Sequence, residues 1–167
     1  MPIILITGGA RSGKSTRAEA RAREFAGKPV YIATAEGFDH EMRERIARHQ
    51  ARRGQEWIEH ETPLELVAAL NATDGGGARL VDCLTIWLSN LMHERRDWAK
   101  DAGRLAEALE AQHSPVVLVT NEVGSGIVPD NALAREFRDA AGLLNQMIAA
   151  VADEVELVVA GLPMRVK

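Results

Sequence analysis

A glycine-rich segment near the start of the chain has the residue types and the spacing of a phosphate-binding loop. It follows the pattern G-x-x-x-x-G-K-S/T directly after the apolar residues 3–6, and its members are Gly8, Gly9, Ala10, Arg11, Ser12, Gly13, Lys14 and Ser15. In such a loop the glycines let successive backbone N–H groups point at phosphate oxygens, and the following helix adds the positive end of its dipole. Lys14 would reach the β- and γ-phosphates, and the Ser15 hydroxyl would ligate Mg²⁺. The segment predicts binding of a nucleoside triphosphate.

An acidic residue, Asp82, follows the apolar pair Leu80 and Val81 at the end of a predicted strand. In phosphate-loop enzymes a carboxylate at this position holds the Mg²⁺ of the triphosphate. The alternative is an ordinary polar residue at the start of a turn. Cys83 comes next, and no strong base stands beside it in the sequence, so we expect a small buried residue rather than a nucleophile.

A histidine in the charged segment 38–53 has arginines at helical spacing. Arg45 lies four residues before His49, and Arg52 lies three residues after it. On a helix both guanidinium groups would flank the imidazole, where they could bind a polyphosphate and keep the ring neutral and nucleophilic. The spacing alone leaves the alternative open that His49 is a packed or solvent-facing residue.

The elements that must position these groups alternate between strand and helix patterns. Strands are predicted near residues 3–7, 30–34, 57–60, 78–82, 116–120, 156–160 and 164–166, and helices near 14–26, 38–53, 62–70, from 85, up to 113 and over 132–150. This alternation predicts an α/β fold, a P-loop NTPase-like and mostly parallel sheet flanked by helices on both faces, in a single domain over residues 1–167. In the last helix, a stripe at helical spacing is expected in the core: Leu133, Phe137, Ala140 or Ala141, and Leu144.

Composition narrows the class of protein. The 167 residues are 46% hydrophobic and 26% charged, with a net charge of −4, which argues against general nucleic-acid binding. One cysteine excludes an internal disulfide, and His40, His60, His93 and His113 lack the spacing of a metal site. No signal peptide is visible, and no apolar run approaches the roughly 18 residues of a membrane span. We therefore expect a cytoplasmic protein without a membrane span.

Further motifs follow the phosphate-binding loop in a fixed order. They are Tyr31-Ile32-Ala33-Thr34-Ala35, Arg45-Ile46-Ala47-Arg48-His49, Val119-Thr120-Asn121-Glu122-Val123-Gly124, Gly126-Ile127-Val128-Pro129, and then Arg135, Phe137-Arg138-Asp139, Gly142 and Asn145-Gln146. Together with the loop they resemble the bifunctional adenosylcobinamide kinase/adenosylcobinamide-phosphate guanylyltransferase family of cobalamin biosynthesis. The resemblance covers essentially the whole chain.

The resemblance implies two reactions at one nucleotide site. The first phosphorylates adenosylcobinamide with ATP or GTP, and the second transfers GMP from GTP to adenosylcobinamide phosphate through a histidine–GMP intermediate. The family's nucleophile falls on His49, and Lys14 is the second catalytic residue. The family's nucleotide contacts fall on the residues of the loop and on Ala33, Thr34, Ala35, Gln50, Ala51, Arg52, Arg53, Glu61 and Asp82, with Mg²⁺ on Ser15 and Asp82. It also implies a homo-oligomer, a trimer with the site near a subunit boundary.

Other interpretations remain beside this one. A P-loop kinase of another small alcohol or nucleoside would have the same loop but no covalent intermediate. A GTP-dependent switch is disfavoured because Asn121-Glu122-Val123-Gly124 does not match the guanine-reading pattern Asn-Lys-x-Asp. The segment 120–129 lies at a strand end, where ligands gather in α/β sheets. It is either a structural turn or a wall of the site.

Overall fold

A seven-stranded sheet forms the centre of the computed structural model, which describes residues 1–35 and 54–167. Its order is β3-β2-β4-β5-β1-β6-β7. The strands are β1 (Ile3–Thr7), β2 (Val30–Ala33), β3 (Ile58–Glu61), β4 (Arg79–Asp82), β5 (Val116–Val119), β6 (Glu154–Val159) and β7 (Leu162–Arg165). All neighbours pair in parallel except β6 and β7, which form an antiparallel hairpin. The strand carrying the glycine-rich loop therefore lies between β5 and β6.

Five α-helices connect the strands within the described residues. They are α1 (Lys14–Arg23), α2 (Leu66–Ala72), α3 (Leu84–His93), α4 (Trp98–Glu110) and α5 (Ala132–Val151), and a short 3-10 helix spans Gly54–Glu56. Two of them begin at a side-chain cap, because Asp97 accepts the Lys100 N–H and Asn131 accepts the Ala134 N–H. None of the helices in the described part of the chain is long and apolar enough to cross a membrane.

Apolar side chains cover both faces of the sheet. On one face Ile4, Ile6, Val117 and Val119 pack with α1, and on the other Ile3, Leu5, Val116 and Leu118 pack with α2 to α5. Strands buried on both faces have nearly continuous apolar runs, which explains the composition of β1 and β5. The predicted α/β class, with a mostly parallel sheet and helices on both faces, is confirmed.

Most of the predicted strands and helices are present in the structure, but several begin or end at residues other than those predicted. α1 ends at Arg23 rather than near 26, α2 begins at Leu66 rather than near 62, and β6 begins at Glu154 rather than 156. The expectation that Leu133 belongs to the core is wrong, because its side chain is 70% exposed. It lies in the first turn of α5, where it lines an open groove beside α3, whereas Ala140, Ala141 and Leu144 are buried. The predicted helix over 38–53 lies outside the described residues.

Candidate active site

The glycine-rich loop joins β1 to α1 and turns back on itself. The Ser12 N–H donates to the Gly9 carbonyl at 3.3 Å, and the Arg17 N–H donates to the Gly13 carbonyl at 3.0 Å. Lys14 Nζ donates to the Gly9 carbonyl at 3.1 Å, and the Lys14 side chain is largely buried against the loop. Successive backbone N–H groups in such a turn form an anion-binding concavity, and in this chain Lys14 lies against it.

Two glycines of the loop are required by their surroundings. A Cβ at Gly8 would lie 2.6 Å from the Val158 carbonyl oxygen, and a Cβ at Gly13 would lie 3.1 Å from the Cα of Gly161. Gly13 also has a φ of 96°, which disfavours other residues. The Gly161 N–H donates to the Ser12 carbonyl at 2.8 Å. The turn of the β6–β7 hairpin thus supports the loop, a contact that the local sequence pattern did not reveal.

Three predicted contact residues lie side by side at the carboxyl ends of β2, β3 and β4. In the register of the sheet, Ala33 pairs with Glu61 on one side and with Asp82 on the other. The next residue, Thr34, is fully buried, and its hydroxyl both accepts the Cys83 N–H and donates to the Cys83 carbonyl at 2.8 Å. The structure therefore brings Ala33, Glu61 and Asp82 to one edge and uses Thr34 to fix the backbone after Asp82.

Asp82 lies close to the charged end of the loop. Its carboxylate is half-buried and accepts a hydrogen bond from the Tyr31 hydroxyl at 3.0 Å. Burial raises the pKa of the adjacent Cys83 thiol to about 12, the Asp82 charge adds to that increase, and the Lys14 charge opposes it. All three side chains are therefore near one another. The prediction that Cys83 is a buried residue is confirmed.

The oxygen donors at this edge suit Mg²⁺ rather than a transition metal. Within the described part of the chain, no group of three or more His, Cys, Asp or Glu side chains is placed to hold a metal ion. Magnesium is typically bound by one or two protein oxygens together with substrate phosphates and water. The Ser15 hydroxyl in the first turn of α1 and the Asp82 carboxylate are oxygen donors of that kind.

Several predicted residues lie outside the described parts of the chain. They are the proposed nucleophile His49 and the contacts Gln50, Ala51, Arg52 and Arg53, and His40 lies there as well. Of the remaining histidines, His93 and His113 are exposed and His60 is half-buried. His113 Nδ1 lies 3.0 Å from the Asp74 carboxylate, so this histidine belongs to a surface hydrogen-bond cluster.

The segment after β5 lies against the glycine-rich loop. The Glu122 N–H donates to the Gly8 carbonyl at 3.1 Å, which extends the pairing of β5 with β1 beyond the strand ends. The Glu122 carboxylate accepts the backbone N–H groups of Gly124 and Ser125, and hydrogen bonds from Ser125 and Gly124 hold its pKa below the usual range. The Glu122 carboxylate therefore stabilises the turn that follows it. The Glu122 backbone N–H helps to hold the glycine-rich loop in position.

The fold and the loop define a P-loop nucleotide-binding protein of the α/β class. Solved structures of similar fold include a type III secretion system ATPase, with a TM-score of 0.60 at 12% identity, and the P4 protein of bacteriophage phi6 in complex with ADP, with a TM-score of 0.55 at 14% identity. They match 98% and 97% of this chain. The chain spans about half the length of those two proteins (56% and 52%), so the likeness concerns the fold alone.

The chain belongs to the cobinamide kinase/cobinamide phosphate guanyltransferase family, whose model matches residues 4–166. A bifunctional adenosylcobalamin biosynthesis protein of Pseudomonas aeruginosa is 46% identical, over 98% of this chain and 96% of that protein. The corresponding protein of Salmonella typhimurium is 42% identical over 99% of both chains. The family predicted from the ordered motifs is confirmed, and the chain is a kinase and guanylyltransferase of cobalamin biosynthesis.

Proposed function

We propose that the chain first phosphorylates adenosylcobinamide and then attaches GMP to the product, giving adenosylcobinamide-GDP. The observation that carries this proposal is the P-loop with Asp82 at the same edge of the sheet, in a chain that matches its bifunctional relatives over nearly their whole length. The family description names both activities, and the names of the relatives call them bifunctional. The intermediate, the identity of the corrinoid and the roles of single residues are the proposed part.

In the kinase step the aminopropanol hydroxyl of adenosylcobinamide attacks the γ-phosphorus of ATP or GTP. An O–P bond forms, the bond to the β-phosphate oxygen breaks, and the nucleoside diphosphate leaves as the hydroxyl proton is released. Phosphoryl transfer depends mainly on positioning and on neutralisation of charge. Lys14 and the N–H groups of the loop supply both, since the lysine is held against the loop by its hydrogen bond to Gly9.

In the transferase step a nitrogen of His49 attacks the α-phosphorus of GTP. A P–N bond forms, the bond to the bridging oxygen breaks, and pyrophosphate leaves. A phosphate oxygen of adenosylcobinamide phosphate then attacks the same phosphorus, so that the P–N bond breaks and the imidazole is regenerated. A phosphoramidate is reactive enough to pass its GMP to a second phosphate. Gln50, Ala51, Arg52 and Arg53 are proposed to contact the nucleotide beside His49.

We further propose that Mg²⁺ is bound at the carboxyl edge by the Ser15 hydroxyl and the Asp82 carboxylate. A bound Mg²⁺ would neutralise charge on the triphosphate. Tyr31 orients one oxygen of Asp82 through its hydroxyl, and the Thr34–Cys83 hydrogen bonds fix the backbone that follows. Glu61 and the residues Ala33, Thr34 and Ala35 are proposed to line the nucleotide at the neighbouring strand ends.

The test is intact-protein mass spectrometry after incubation with GTP and Mg²⁺, without any corrinoid. The expected result is the gain of one GMP per chain, labile in acid and absent from the His49→Ala variant. His93→Ala is the matched control, because His93 is an exposed histidine at the end of α3, and it is expected to gain GMP like the unaltered chain.

Other outcomes would contradict specific parts of the proposal. No gain of mass in the unaltered chain, together with phosphorylation of cobinamide by ATP, would leave a P-loop kinase without a covalent intermediate. A gain that persists in His49→Ala would keep the covalent chemistry and assign the nucleophile to another residue. A chain that phosphorylates only another alcohol or a nucleoside would disprove the assignment of adenosylcobinamide as acceptor.

We also propose that the chain forms a homo-oligomer. The support is a group of exposed apolar side chains on the β6–β7 hairpin: Val159, Leu162, Met164 and Val166. Val159 pairs with Leu162 and Leu157 pairs with Met164 in the register, so these side chains share one face. Large apolar patches at a surface commonly mark contacts between proteins. The trimeric state stays a prediction of the family resemblance.

A further inference from the structure

Four hydrogen bonds form a closed ring around the backbone of Asn121. The Asn121 N–H donates to the Thr85 hydroxyl at 2.7 Å, and the Thr85 and Thr120 hydroxyl oxygens are 3.3 Å apart. The Thr120 hydroxyl donates to Asn145 Oδ1 at 2.6 Å, and Asn145 Nδ2 donates to the Asn121 carbonyl at 3.2 Å. The ring joins the end of β5 to the first turn of α3 and to the middle of α5.

The direction of every bond in the ring is determined. Thr120 has one hydroxyl hydrogen, and it is used toward Asn145, so the Thr85 hydroxyl must donate to Thr120. Each hydroxyl therefore accepts one hydrogen bond and donates one. Thr85 and Thr120 are both buried, where an unpaired polar group is costly and a complete network is rigid. Both the N–H and the carbonyl of Asn121 are thereby held in one position.

The backbone on either side of Asn121 remains extended. The Thr120 N–H donates to the Ile6 carbonyl at 3.0 Å, and the Glu122 N–H donates to the Gly8 carbonyl at 3.1 Å, as in a continuing parallel ladder. Side chains alternate across an extended segment. Because Thr120 faces Asn145 of α5, the Asn121 side chain lies on the opposite face, the face that packs against α1 and carries Asp82.

Asn121 is thus placed between the glycine-rich loop and the Asp82 end of β4, which are the two parts of the proposed nucleotide site. Its neighbour Glu122 is bonded to Gly8 at the start of the glycine-rich loop, and its own N–H is bonded to Thr85, three residues beyond Asp82. Among the residues that the structure describes, the Asn121 carboxamide forms no hydrogen bond within the protein. A fixed backbone therefore carries an amide group available to a ligand, at the edge where the triphosphate is proposed to bind.

We propose that Asn121 contacts the transferred γ-phosphoryl group and that Thr85, Thr120 and Asn145 are the positioning residues that hold it there. This inference rests on the proposed function and adds residues to its kinase step. The guanylyltransferase step reacts at the α-phosphorus, which is two phosphates away from the γ-phosphoryl group. A loss of the ring is therefore expected to slow γ-phosphoryl transfer and to leave formation of the covalent GMP adduct nearly unchanged.

The experiment compares two substitutions at Thr120. Thr120→Val keeps the shape and removes the hydroxyl, whereas Thr120→Ser keeps the hydroxyl and removes a methyl group. For Thr120→Val we expect the kcat of cobinamide phosphorylation to fall at least tenfold with less than a threefold change in the KM for the nucleotide. Thr120→Ser is expected to stay within threefold of the unaltered chain, and both variants should form the GMP adduct at rates within threefold of it.

Two controls separate positioning from folding. Thr73→Val makes the same chemical change at the end of α2, where the Thr73 hydroxyl donates to the Ala69 carbonyl, and its activity should be unchanged. Gln146→Leu is the control for Asn145→Leu, because Gln146 is the exposed neighbour of Asn145 on α5. Asn145→Leu should reproduce the kinetic pattern of Thr120→Val, while thermal unfolding of every variant shows whether it is folded at the assay temperature.

Release of γ-phosphate from GTP into water is measured on the same variants, since it needs no corrinoid acceptor. If the unaltered chain releases phosphate but does not phosphorylate cobinamide, the proposed function fails while the Thr120 comparison still tests the ring. Equal rates of γ-phosphate transfer in Thr120→Val and Thr120→Ser would overturn the inference. It would also be overturned if Thr120→Ser were the slower variant, or if adduct formation fell as much as kinase activity.

Discussion

The chemistry of single side chains at the carboxyl edge of the sheet depends on the groups that they contact. Lys14 is largely buried but lies against the carbonyl of Gly9, so its ammonium group is directed into the loop and away from solvent. Asp82 is half-buried and has one carboxylate oxygen bonded to the Tyr31 hydroxyl. Cys83, the very next residue, is directed into the core and packs with Ile4 and Val117. The Asp82 carboxylate is thus only half-buried while the adjacent Cys83 thiol is enclosed, although both lie on the face of the sheet that packs against α1.

The Cys83 thiol gives a prediction at this scale. Because burial and the Asp82 charge raise the pKa of Cys83 to about 12, the thiol stays protonated at pH 8. We expect the native chain to resist an aromatic disulfide reagent and to react with one equivalent after denaturation, since Cys83 is the single cysteine. Absorbance of the released thiolate measures this. Rapid reaction of the native chain would show that the thiol is accessible or ionised.

At the scale of elements, the glycine-rich loop is held from two sides. The β6–β7 turn contacts it through Gly161, and α1 is fixed to β6 by Arg17, which donates from Nε and from one terminal nitrogen to the Glu156 carboxylate at 2.7 Å each. The hydrogen bond from Arg17 holds the pKa of Glu156 below its usual range, although burial opposes this. A short loop can therefore keep one conformation because both elements beside it are fixed.

A second network stabilises the opposite, amino edge of the sheet. Arg79 at the start of β4 is fully buried and donates to the Asp74 carboxylate, to Gln112 Oε1 at 2.9 Å and to the Ser114 carbonyl at 2.9 Å. The network joins the loop before β4 to the segment that follows α4. Removing one member of a buried ion pair leaves the other charge without compensation, which typically costs about 3–5 kcal/mol.

We predict that Arg79→Met lowers the free energy of unfolding by about 3 kcal/mol or more, and Asp74→Asn by about 2 kcal/mol. Burial raises the pKa of Asp74, but hydrogen bonds from the His113 N–H and from Arg79 lower it more, so the folded-state pKa lies well below its usual range. The stabilisation is therefore fully present above the unfolded-state pKa and is lost as the pH falls through the folded-state pKa.

Urea unfolding at pH 7 measures the free energy of unfolding that each variant loses. The same measurement at pH 3 shows how the stability of each chain depends on pH. Asp74→Asn should lose less stability on acidification than the unaltered chain, because the carboxylate that takes up a proton on unfolding at pH 3 is gone. Asp139→Asn is the control, since Asp139 is exposed and, among the residues that the structure describes, pairs only with its neighbour Arg138. Its effect should stay within about 0.5 kcal/mol. The same acid sensitivity in Asp74→Asn and in the unaltered chain would contradict the role of this carboxylate.

The elements also show which features a sequence can reveal. The loop from Gly8 to Ser15 is contiguous, so the spacing of its residues was sufficient to predict it. The predicted β1 matches the observed strand. The ring of Thr85, Thr120 and Asn145 joins residues up to 60 positions apart, and it exists only because β5 lies between β1 and β4. Periodicity placed Leu133 in the core because it reports which face of a helix is apolar but not how completely each turn of that face is covered.

At the scale of the whole molecule, the two edge strands of the sheet, β3 and β7, differ in the residues that they expose. β3 at one edge of the sheet is short and charged, with Glu59 and Glu61, as is usual for an edge exposed to water. β7 at the other edge has exposed Leu162 and Met164. Pro163 between them lacks an N–H donor, which works against extension of the sheet by another strand. A partner would therefore pack on the apolar face of the hairpin rather than pair with its edge.

Replacement of both exposed residues, Leu162→Glu with Met164→Glu, should convert the proposed homo-oligomer to a monomer, because each new carboxylate would lose its hydration in the contact. Light scattering coupled to size-exclusion chromatography measures the mass. Ile58→Glu is the control, since Ile58 is an exposed apolar residue on β3 at the opposite edge, and it should leave the mass unchanged. A monomeric unaltered chain would refute self-association, whereas an oligomer that survives the double substitution would place the contact on another surface.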